Sequence, residues 1–265
     1  MTTLRHSFPL VVLGLLAAAG GAAAQSFDAV RLFSPPKGNG SGSFGAVAVA
    51  GREYPGSDER RNLLLPVVNY RWKNGWFAGT GNGIGYLFDS AEHVQYGLRL
   101  TADLGRRSKR SAVLQGMDNI DAAPEAGAFF NFFFSRELFV TSSLRYGAGD
   151  GHDGVLLDLG ANYATLLAPQ WRVNVGVATT LANRSYLQSY FGVAPDKATA
   201  SRPAYSAGAG TRDVRASASL TYAINPQWDA TVALSASSLQ GDARHSPLVR
   251  DRTPVTGIIA VTRDF

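Results

Sequence analysis

Few residues of this 265-residue chain have the types and spacing that chemistry needs, and a serine beside a histidine is the first candidate. Asp242, His245 and Ser246 supply the residue types of a serine hydrolase, in which a histidine base activates the serine and a carboxylate orients the base. Neighbouring strand residues point to opposite faces, so this pair could cooperate only within a loop. A structural role for Ser246 is favoured, and we predict no catalytic residues.

Metal and cofactor sites are weakly indicated. Asp150 and Asp153 flank a histidine but lack the spaced carboxylates of a calcium loop, which favours a solvated outer loop. The glycine-rich segment 79–85 resembles a phosphate-binding loop only superficially, since neither a Lys-Ser or Lys-Thr pair nor a helix follows it. The chain contains no cysteine, which excludes disulfides, thiol catalysis and cysteine-ligated metals. We therefore predict no metal and no cofactor.

Charged residues form two candidate sets. The first is a basic run at the predicted outer end of a strand, and it comprises Arg106, Arg107, Lys109 and Arg110. It either contacts the phosphates of lipopolysaccharide or another acidic ligand, or is a solvated loop. The second set carries both signs on the polar faces of predicted strands, and it comprises Arg99, Asp103, Glu125, Arg145, Asp158, Arg172, Arg215 and Asp229. Such charges require water or partners, so they predict a narrow polar pore or a salt-bridged plug.

The strands that would position these charges are indicated by alternation. Between His93 and Leu104 every even position is apolar and every odd position is polar or glycine. Similar segments of about ten residues, the length that crosses a bilayer at a tilt, recur at 171–181, 214–224 and 228–237. A strand directs successive side chains to opposite faces. Either a soluble sandwich with the apolar face as its core or a membrane barrel with that face in lipid would explain the pattern.

The lengths of the connections favour the membrane barrel. Four short connections are flanked by aromatic residues, which is typical of the girdle at a membrane interface, and they lie at 73–75, 135–137, 168–170 and 225–227. The other connections are long and polar, near 52–61, 105–123, 147–154, 183–204 and 241–253. Short periplasmic turns and long outer loops are the usual asymmetry of outer-membrane barrels. The aromatic residues of the longest loop are predicted to pack it over the mouth, and they are Tyr186, Tyr190, Phe191 and Tyr205.

We therefore predict an all-β fold, a transmembrane antiparallel β-barrel of about twelve strands. The strands are expected to start near Ser43, Asn62, Gly75, Gly83, His93, Pro124, Glu137, Gly154, Trp171, Tyr205, Trp228 and Pro254. Gly75–Asp89 is either two short strands or one long strand. An even number of strands keeps both termini periplasmic, which favours two strands here. Ten strands is the alternative total. The last residue, Phe265, resembles the terminal aromatic of the sorting signal in such barrels.

The N-terminal part predicts export. Residues 1–24 resemble a secretory signal peptide, with a short apolar stretch and small residues before a cleavage site near Gln25; a retained helical anchor is the alternative. Residues 25–42 are expected to form a flexible periplasmic segment, and residues 43–265 the barrel. Only 17% of the residues are charged and the net charge is +5, so nucleic acid is not an expected partner.

An ordered set of short motifs resembles one family over nearly all of the predicted mature chain. The motifs are Tyr54-Pro-Gly-Ser57, Leu65-Pro66 through Tyr70, Gly83-Ile-Gly85-Tyr86, Gly105-Arg106, Leu114-Gln-Gly-Met-Asp118, Ser189-Tyr-Phe-Gly-Val193 and Ser246-Pro-Leu248. Together they resemble the MltA-interacting protein (MipA/OmpV) family of outer-membrane barrels. The match of Ser246 to one motif agrees with its structural role.

The resemblance also implies function. For one member it implies a scaffold that joins a lytic transglycosylase, which cleaves murein, to a murein synthase; other members are described as porin-like proteins or adhesins. We therefore expect a monomeric barrel in the outer membrane of a Gram-negative bacterium, in contact with lipid and lipopolysaccharide. A murein scaffold is the expected function, and a narrow channel for small solutes or a surface adhesin are the alternatives.

Overall fold

Twelve antiparallel strands close into a barrel in the computed structural model, which describes residues 39–91, 93–147 and 153–265. Each strand pairs with its neighbours in sequence, and β1 pairs with β12. The strands are β1 (Gly40–Arg52), β2 (Arg60–Trp72), β3 (Trp76–Gly79), β4 (Gly83–Ala91), β5 (Val94–Asp103), β6 (Ala123–Phe133), β7 (Leu138–Gly147), β8 (Gly154–Ala168), β9 (Trp171–Ala182), β10 (Gly210–Asn225), β11 (Trp228–Leu239) and β12 (Val255–Asp264). The predicted fold and the count of twelve strands are confirmed, and the predicted signal peptide lies outside the described residues.

The two faces of the wall differ as the alternation predicts. In β5, Leu98 and Leu100 are 54% and 51% exposed on the outside of the barrel. The intervening Arg99 is buried on the inside, as is Gln95. An apolar outer surface around a polar interior is the arrangement of a barrel that spans lipid, and it is the reverse of a sandwich core.

Aromatic side chains line the end of the barrel that carries the short turns. Tyr70 and Trp72 meet edge to face with ring centroids 4.7 Å apart. Trp171 and Tyr222 lie at the same separation on the paired strands β9 and β10. These residues form the predicted interfacial girdle and mark the periplasmic end of the wall.

The C-terminus closes the barrel at this end. Phe265 exchanges two backbone hydrogen bonds with Gly42, and its ring centroid lies 5.9 Å from that of Phe44. Arg263, two residues before Phe265, points outward, and its guanidinium lies 6.0 Å from the centre of the Trp228 ring. A cation over an aromatic ring at the interface is a favourable arrangement for a charged residue on the lipid side.

Two strand starts differ from the sequence expectation by more than two residues. β1 begins at Gly40, three residues earlier than predicted, because residues 40–42 pair with the end of β2 at Tyr70–Trp72; they belong to the wall and not to the flexible segment. β10 begins at Gly210, five residues later than predicted, because the backbone of Tyr205 pairs instead with that of Val193 within the preceding loop. Residues 25–38 lie outside the described part of the chain.

The long loops at the other end fold into the barrel mouth. They contain helices α1 (Arg184–Phe191) and α2 (Gly241–His245), and the side chain of Asn183 caps α1 by accepting the Tyr186 N–H at 3.0 Å. Side chains from these loops are 0 or 1% exposed, and they are Leu114, Leu187, Phe191, Ala207, Ala243 and Leu248. We call residues 104–122, 183–209 and 240–254 the outer plug. The predicted packing of the aromatic loop residues over the mouth is confirmed.

Helices are a minor part of the structure. No helix within the described ranges combines the length and the apolar character needed to cross a membrane.

Candidate functional site

All eight charged residues that the alternation places on the polar face lie on the inward face of the wall. They fall into two groups at different heights. Glu125 and Asp158 lie within the first five residues of strands that begin at the outer end, β6 and β8. Arg172 and Asp229 lie at the periplasmic end, in the second position of β9 and β11. The lumen therefore has an outer and an inner charged layer.

Arg145 is the centre of the outer layer. Its guanidinium lies 3.0 Å from a carboxylate oxygen of Glu125 and 2.8 Å from one of Asp158. The second oxygen of Asp158 accepts a hydrogen bond from the Thr180 hydroxyl at 2.6 Å and lies 3.5 Å from Arg215. Glu125 is 1% exposed, so its charge depends on these partners and not on bulk water.

The sequence interpretation missed two members of this layer, Arg212 and Asp213. A β-bulge between Thr211 and Asp213 interrupts the alternation, so the side chains of both Arg212 and Asp213 are buried. Asp213 lies 3.0 Å from Arg215 and also accepts a hydrogen bond from Arg212. Two adjacent charged residues at the start of an alternating segment were the available signal, because strict alternation cannot bury both.

Arg212 connects the charged wall to the outer plug. Its Nη1 donates to the Tyr186 hydroxyl at 3.2 Å, and its guanidinium lies 5.8 Å from the centre of that ring. Burial raises the pKa of Tyr186 well above its usual range. This phenol therefore stays protonated at neutral pH and accepts from the arginine as a neutral group.

Asp103 and Arg106 make a second connection to α1. The Tyr190 hydroxyl donates to the Asp103 carboxylate, with both oxygens at 2.7 Å, and Arg106 donates to the Tyr190 carbonyl oxygen at 2.6 Å. Burial, and then the negative charge of Asp103, raise the pKa of Tyr190. Burial lowers the pKa of Arg106. The plug is thus held to the barrel wall by charge-assisted hydrogen bonds as well as by apolar contacts.

Three further predicted lumen charges are Arg99, Arg172 and Asp229. Arg99 donates to the Ser143 hydroxyl at 2.7 Å and is buried in the wall. Arg172 lies 3.7 Å from Asp229, and its side chain is 56% exposed. The inner layer is therefore accessible to solvent from the periplasmic end, whereas the outer layer is enclosed beneath the plug.

The basic run at 106–110 does not form one surface cluster. Arg106 is 5% exposed inside the plug, so the prediction that it belongs to an outer basic patch is wrong. Arg107 pairs with Asp121 at 2.8 Å, and Arg110 lies 3.6 Å from Glu53. Lys109 is exposed, so three of the four predicted residues remain on the outer surface.

The residues of the hydrolase-like set serve other contacts. The Ser246 hydroxyl donates to the Phe191 carbonyl oxygen at 2.6 Å and accepts the Leu248 N–H at 3.1 Å. His245 contacts the carbonyl oxygen of Gly241 at 2.8 Å, and the Asp242 carboxylate accepts the Gly208 N–H. The three side chains are not joined to one another, and the serine braces the plug.

The other weak motifs also have local roles. Gly83 begins β4 at φ +75, in the left-handed region that favours glycine, and the segment 79–85 contains the tight turn between β3 and β4. Asp150, of the calcium hypothesis for the loop near 147–154, lies outside the described residues. Within the described ranges, no group of three or more His, Asp or Glu side chains is arranged to hold a metal ion.

A closed twelve-stranded wall with an apolar outer surface, an aromatic girdle and a polar lumen defines an outer-membrane β-barrel protein. A family model described as "MltA-interacting protein MipA" matches residues 44–265, and the chain belongs to this family. The resemblance drawn from the motifs is confirmed.

Two relatives are described as outer membrane proteins. Outer membrane protein OmpV of Vibrio cholerae is 29% identical over 214 residues, which are 78% of this chain and 73% of that protein. Outer membrane protein Omp26La of Vibrio anguillarum is 29% identical over 170 residues, 64% of this chain and 57% of that protein. Among solved structures, the NanC porin has a TM-score of 0.49 at 11% identity, covering 82% of this chain and 98% of its own.

Proposed function

We propose that this barrel is a narrow channel for small solutes. In the closed state, the outer plug covers the outer mouth of the barrel. The asymmetry of the two charged layers is the observation that carries the proposal. At the periplasmic end Arg172 is exposed and Asp229 is partly exposed, whereas Glu125 and Asp158 are enclosed at the outer end. A polar lumen that is open on one side and closed on the other is suited to controlled rather than constant conduction.

Single-channel recording in planar bilayers tests the channel. The wild-type barrel is expected to give small, infrequent openings. The double substitution Asp103→Asn and Tyr190→Phe removes the hydrogen bond that anchors α1 and should make openings more frequent. Arg172→Glu should shift the reversal potential in a salt gradient towards cations, because it inverts a charge on the conduction path.

The control is Arg107→Glu, which changes an exposed arginine on the outer surface and should leave the reversal potential unchanged. Folding of every variant is checked by its heat-modifiable mobility on gels. If the wild type and the loosened variant both remain silent although folded, the chain is not a channel.

A murein scaffold is the second candidate, and the family description as an MltA-interacting protein favours it. Its partners would be a lytic transglycosylase and a murein synthase. In the described part of the chain the periplasmic turns are short, for example residues 169–170 between β8 and β9, so they offer little surface. Residues 25–38 would then have to carry the contact.

Pull-down from solubilised envelopes tests the scaffold. The full chain should retain both enzymes, and deletion of residues 27–37 should abolish their capture while the barrel still folds. Equal capture by the deleted chain would remove the proposed contact segment.

We also infer that the barrel catalyses no reaction, since Ser246 is engaged by Phe191 and Leu248. Refolded protein should show no lipase, protease or murein hydrolase activity. An activity that is present in the wild type and lost in Ser246→Ala would contradict this.

A further inference from the structure

Among the described residues, the wall is incomplete on its outer half between β2 and β5. β3 has only four residues, and it pairs with β2 at Asn69–Arg71 alone. β4 pairs with β5 only as far as Leu100. Beyond these pairs, no strand of the described residues lies between β2 and β5, and a gap that two strands would fill is about 14 Å wide, or three interstrand spacings. We call this gap the lateral window.

The window lies at the depth of the lipid chains. At a rise of about 3.3 Å per residue and a strand tilt near 40°, residues 63–67 lie roughly 8 to 18 Å above Tyr70 in the girdle. The apolar band of such barrels is about 25 Å tall, so these residues fall within it. Leu64, which points outward at the window edge, is 77% exposed.

The β2 edge of the window is adapted to being unpaired. The Val68 N–H donates to the Thr80 hydroxyl at 3.0 Å, and the Thr80 N–H donates to the Val68 carbonyl oxygen at 2.9 Å. Because the direction of the backbone N–H and C=O groups alternates along a strand, those of Leu64 and Pro66 point to the same side as those of Val68. Pro66 has no N–H, which removes one donor from this edge, as is usual where proline occurs in a strand.

The top of the window is closed by the outer plug. The Ala112 N–H donates to the Glu59 carboxylate at 3.1 Å, and Arg110 lies 3.6 Å from Glu53. Leu114 in the same segment is fully buried against Tyr54. Above the window the plug is in contact with the wall, so a route from the outer leaflet to the lumen would pass through the window and not through the mouth.

An apolar strip of the lumen wall begins at the window edge. The inward residues of β2 are partly buried and pack against a buried cluster on β1 and β12. The strip comprises Val47, Val49, Leu63, Leu65, Val67, Ile258. The opposite wall carries the charged layer around Arg145, so the lumen has one apolar side and one polar side.

Basic side chains lie above the window. Arg60, at the outer end of β2, and Lys109, in the segment that closes the top, are both exposed. Neither has a side-chain partner among the described residues, whereas Glu53 is already engaged by Arg61 and Arg110. An anionic head group would find unpaired cations here, at the level of the membrane surface.

We propose that the lateral window admits a single-chain anionic amphiphile of the long-chain fatty acid class from the outer leaflet. Its hydrocarbon chain lies against the partly exposed members of the apolar strip, Leu63, Leu65 and Val67, and its carboxylate lies at Arg60 and Lys109. Burial of an acyl chain against inward-facing leucine and valine side chains supplies the attraction, and the two cations select for a charged head. The inference is independent of conduction, because it needs no opening of the plug.

Photo-crosslinking in lipid vesicles tests the proposal. The refolded full chain is incubated with a long-chain fatty acid that carries a diazirine near its methyl end, irradiated and digested for mass spectrometry. Adducts are expected on the inward residues 63, 65 and 67, and unlabelled fatty acid should compete for them. The alcohol of equal chain length should compete at least five-fold less well, since it lacks the charge.

Matched variants separate the window from the lipid-facing surface. Leu65→Asn should reduce the inward adducts about five-fold, whereas Leu64→Asn, on the outward face of the same strand, should not change them. Arg60→Gln with Lys109→Gln should remove the preference for acid over alcohol. Adducts confined to outward residues, or equal competition by a two-chain phospholipid, would overturn the proposal.

An independent measurement uses the absence of cysteine. A nitroxide attached at Leu65→Cys should be as accessible to lipid-soluble oxygen as one at Leu64→Cys. A nitroxide at Asn174→Cys, inward on the far wall in β9, should be reached mainly by a water-soluble nickel chelate. If positions 65 and 174 behave alike, lipid chains do not enter through the window.

Discussion

Arg145 is largely buried in the lumen and pairs with two carboxylates, so we expect its substitution to lower the stability of the barrel. Replacing it with methionine keeps the length of the side chain but leaves Glu125 and Asp158 buried without their shared cation. Loss of one partner from a buried ion pair costs about 3–5 kcal/mol, so the free energy of unfolding of Arg145→Met in vesicles should fall by that amount. Urea titration followed by tryptophan fluorescence measures it.

Arg107 serves as the control for Arg145, because its ion pair with Asp121 is exposed to solvent. Arg107→Met should change the free energy of unfolding by less than about 1 kcal/mol, because solvent screens surface pairs. Adding Glu125→Gln to Arg145→Met should recover part of the loss. Equal effects of the two arginine substitutions would mean that the lumen charges are hydrated.

Tyr190 makes the plug sensitive to alkaline pH. Burial and the nearby Asp103 raise its pKa, so the closed plug holds the phenol proton more tightly than the released plug does. A raised pKa contributes stability that is complete below the ordinary tyrosine value of about 10 and is lost as the pH rises through the raised value. The plug should therefore loosen above about pH 10, while neutral and mildly acidic pH leave this contribution intact.

Limited proteolysis of the outer loops between pH 8 and 12, with tyrosinate absorbance at 295 nm, measures this effect. Tyr190→Phe removes the ionisable group and should lessen the alkaline loosening. Tyr163→Phe, on the outward face of β8, is the control. An unchanged pH profile in Tyr190→Phe would assign the loosening to other groups.

At the scale of strands and loops, period-two patterning predicts the wall because each residue there has only two directions to point. β5 is the clearest case, since lipid contacts one face and the lumen the other. The loops lack this constraint. Arg202 is 6% exposed and donates to the carbonyl oxygens of Val113 and Gln115, contacts across nearly 90 residues that no local pattern indicates. β10 starts later than predicted for the same reason, because Tyr205 pairs with Val193 inside a loop, where no periodic pattern applies.

Close packing inside the wall leads to a prediction for Gly97 in β5. A Cβ atom there would lie 2.1 Å from the Tyr86 carbonyl oxygen and 2.8 Å from the Phe129 ring. Because backbone cannot shift cheaply in a paired strand, Gly97→Ala should destabilise the barrel by about 1–3 kcal/mol. Gly257→Ala in β12 is the matched control, with its nearest atom, in Leu234, 3.7 Å away. Thermal unfolding in vesicles compares them, and equal midpoints would contradict the packing argument.

At the scale of the whole molecule, the alternation predicts which charges face the lumen but not which of them meet. Arg145 reaches Glu125 and Asp158 because strand register and barrel curvature set these diagonals, and Gly127 rather than Glu125 is directly opposite Arg145. The short β3–β4 hairpin was predicted, yet the window that it leaves depends on where each ladder stops. The sequence pattern therefore predicts which side chains face lipid and which face the lumen. Which lumen charges pair with one another depends on how the barrel closes.

The wall and the plug should unfold in separate steps because they are held by different interactions. Outside the lateral window, the wall is a hydrogen-bonded ladder that runs around twelve strands, and lipid cannot replace those bonds. The plug depends on apolar contacts and on a few bonds such as Tyr190 to Asp103, which water can replace. Hydrogen exchange of the folded barrel in vesicles should therefore be faster for α1 and α2 than for β6–β11, and it should accelerate further in α1 alone when Tyr190→Phe removes that bond. Simultaneous exchange of α1 and the strands would mean that the plug is an integral part of the wall and cannot open without unfolding it.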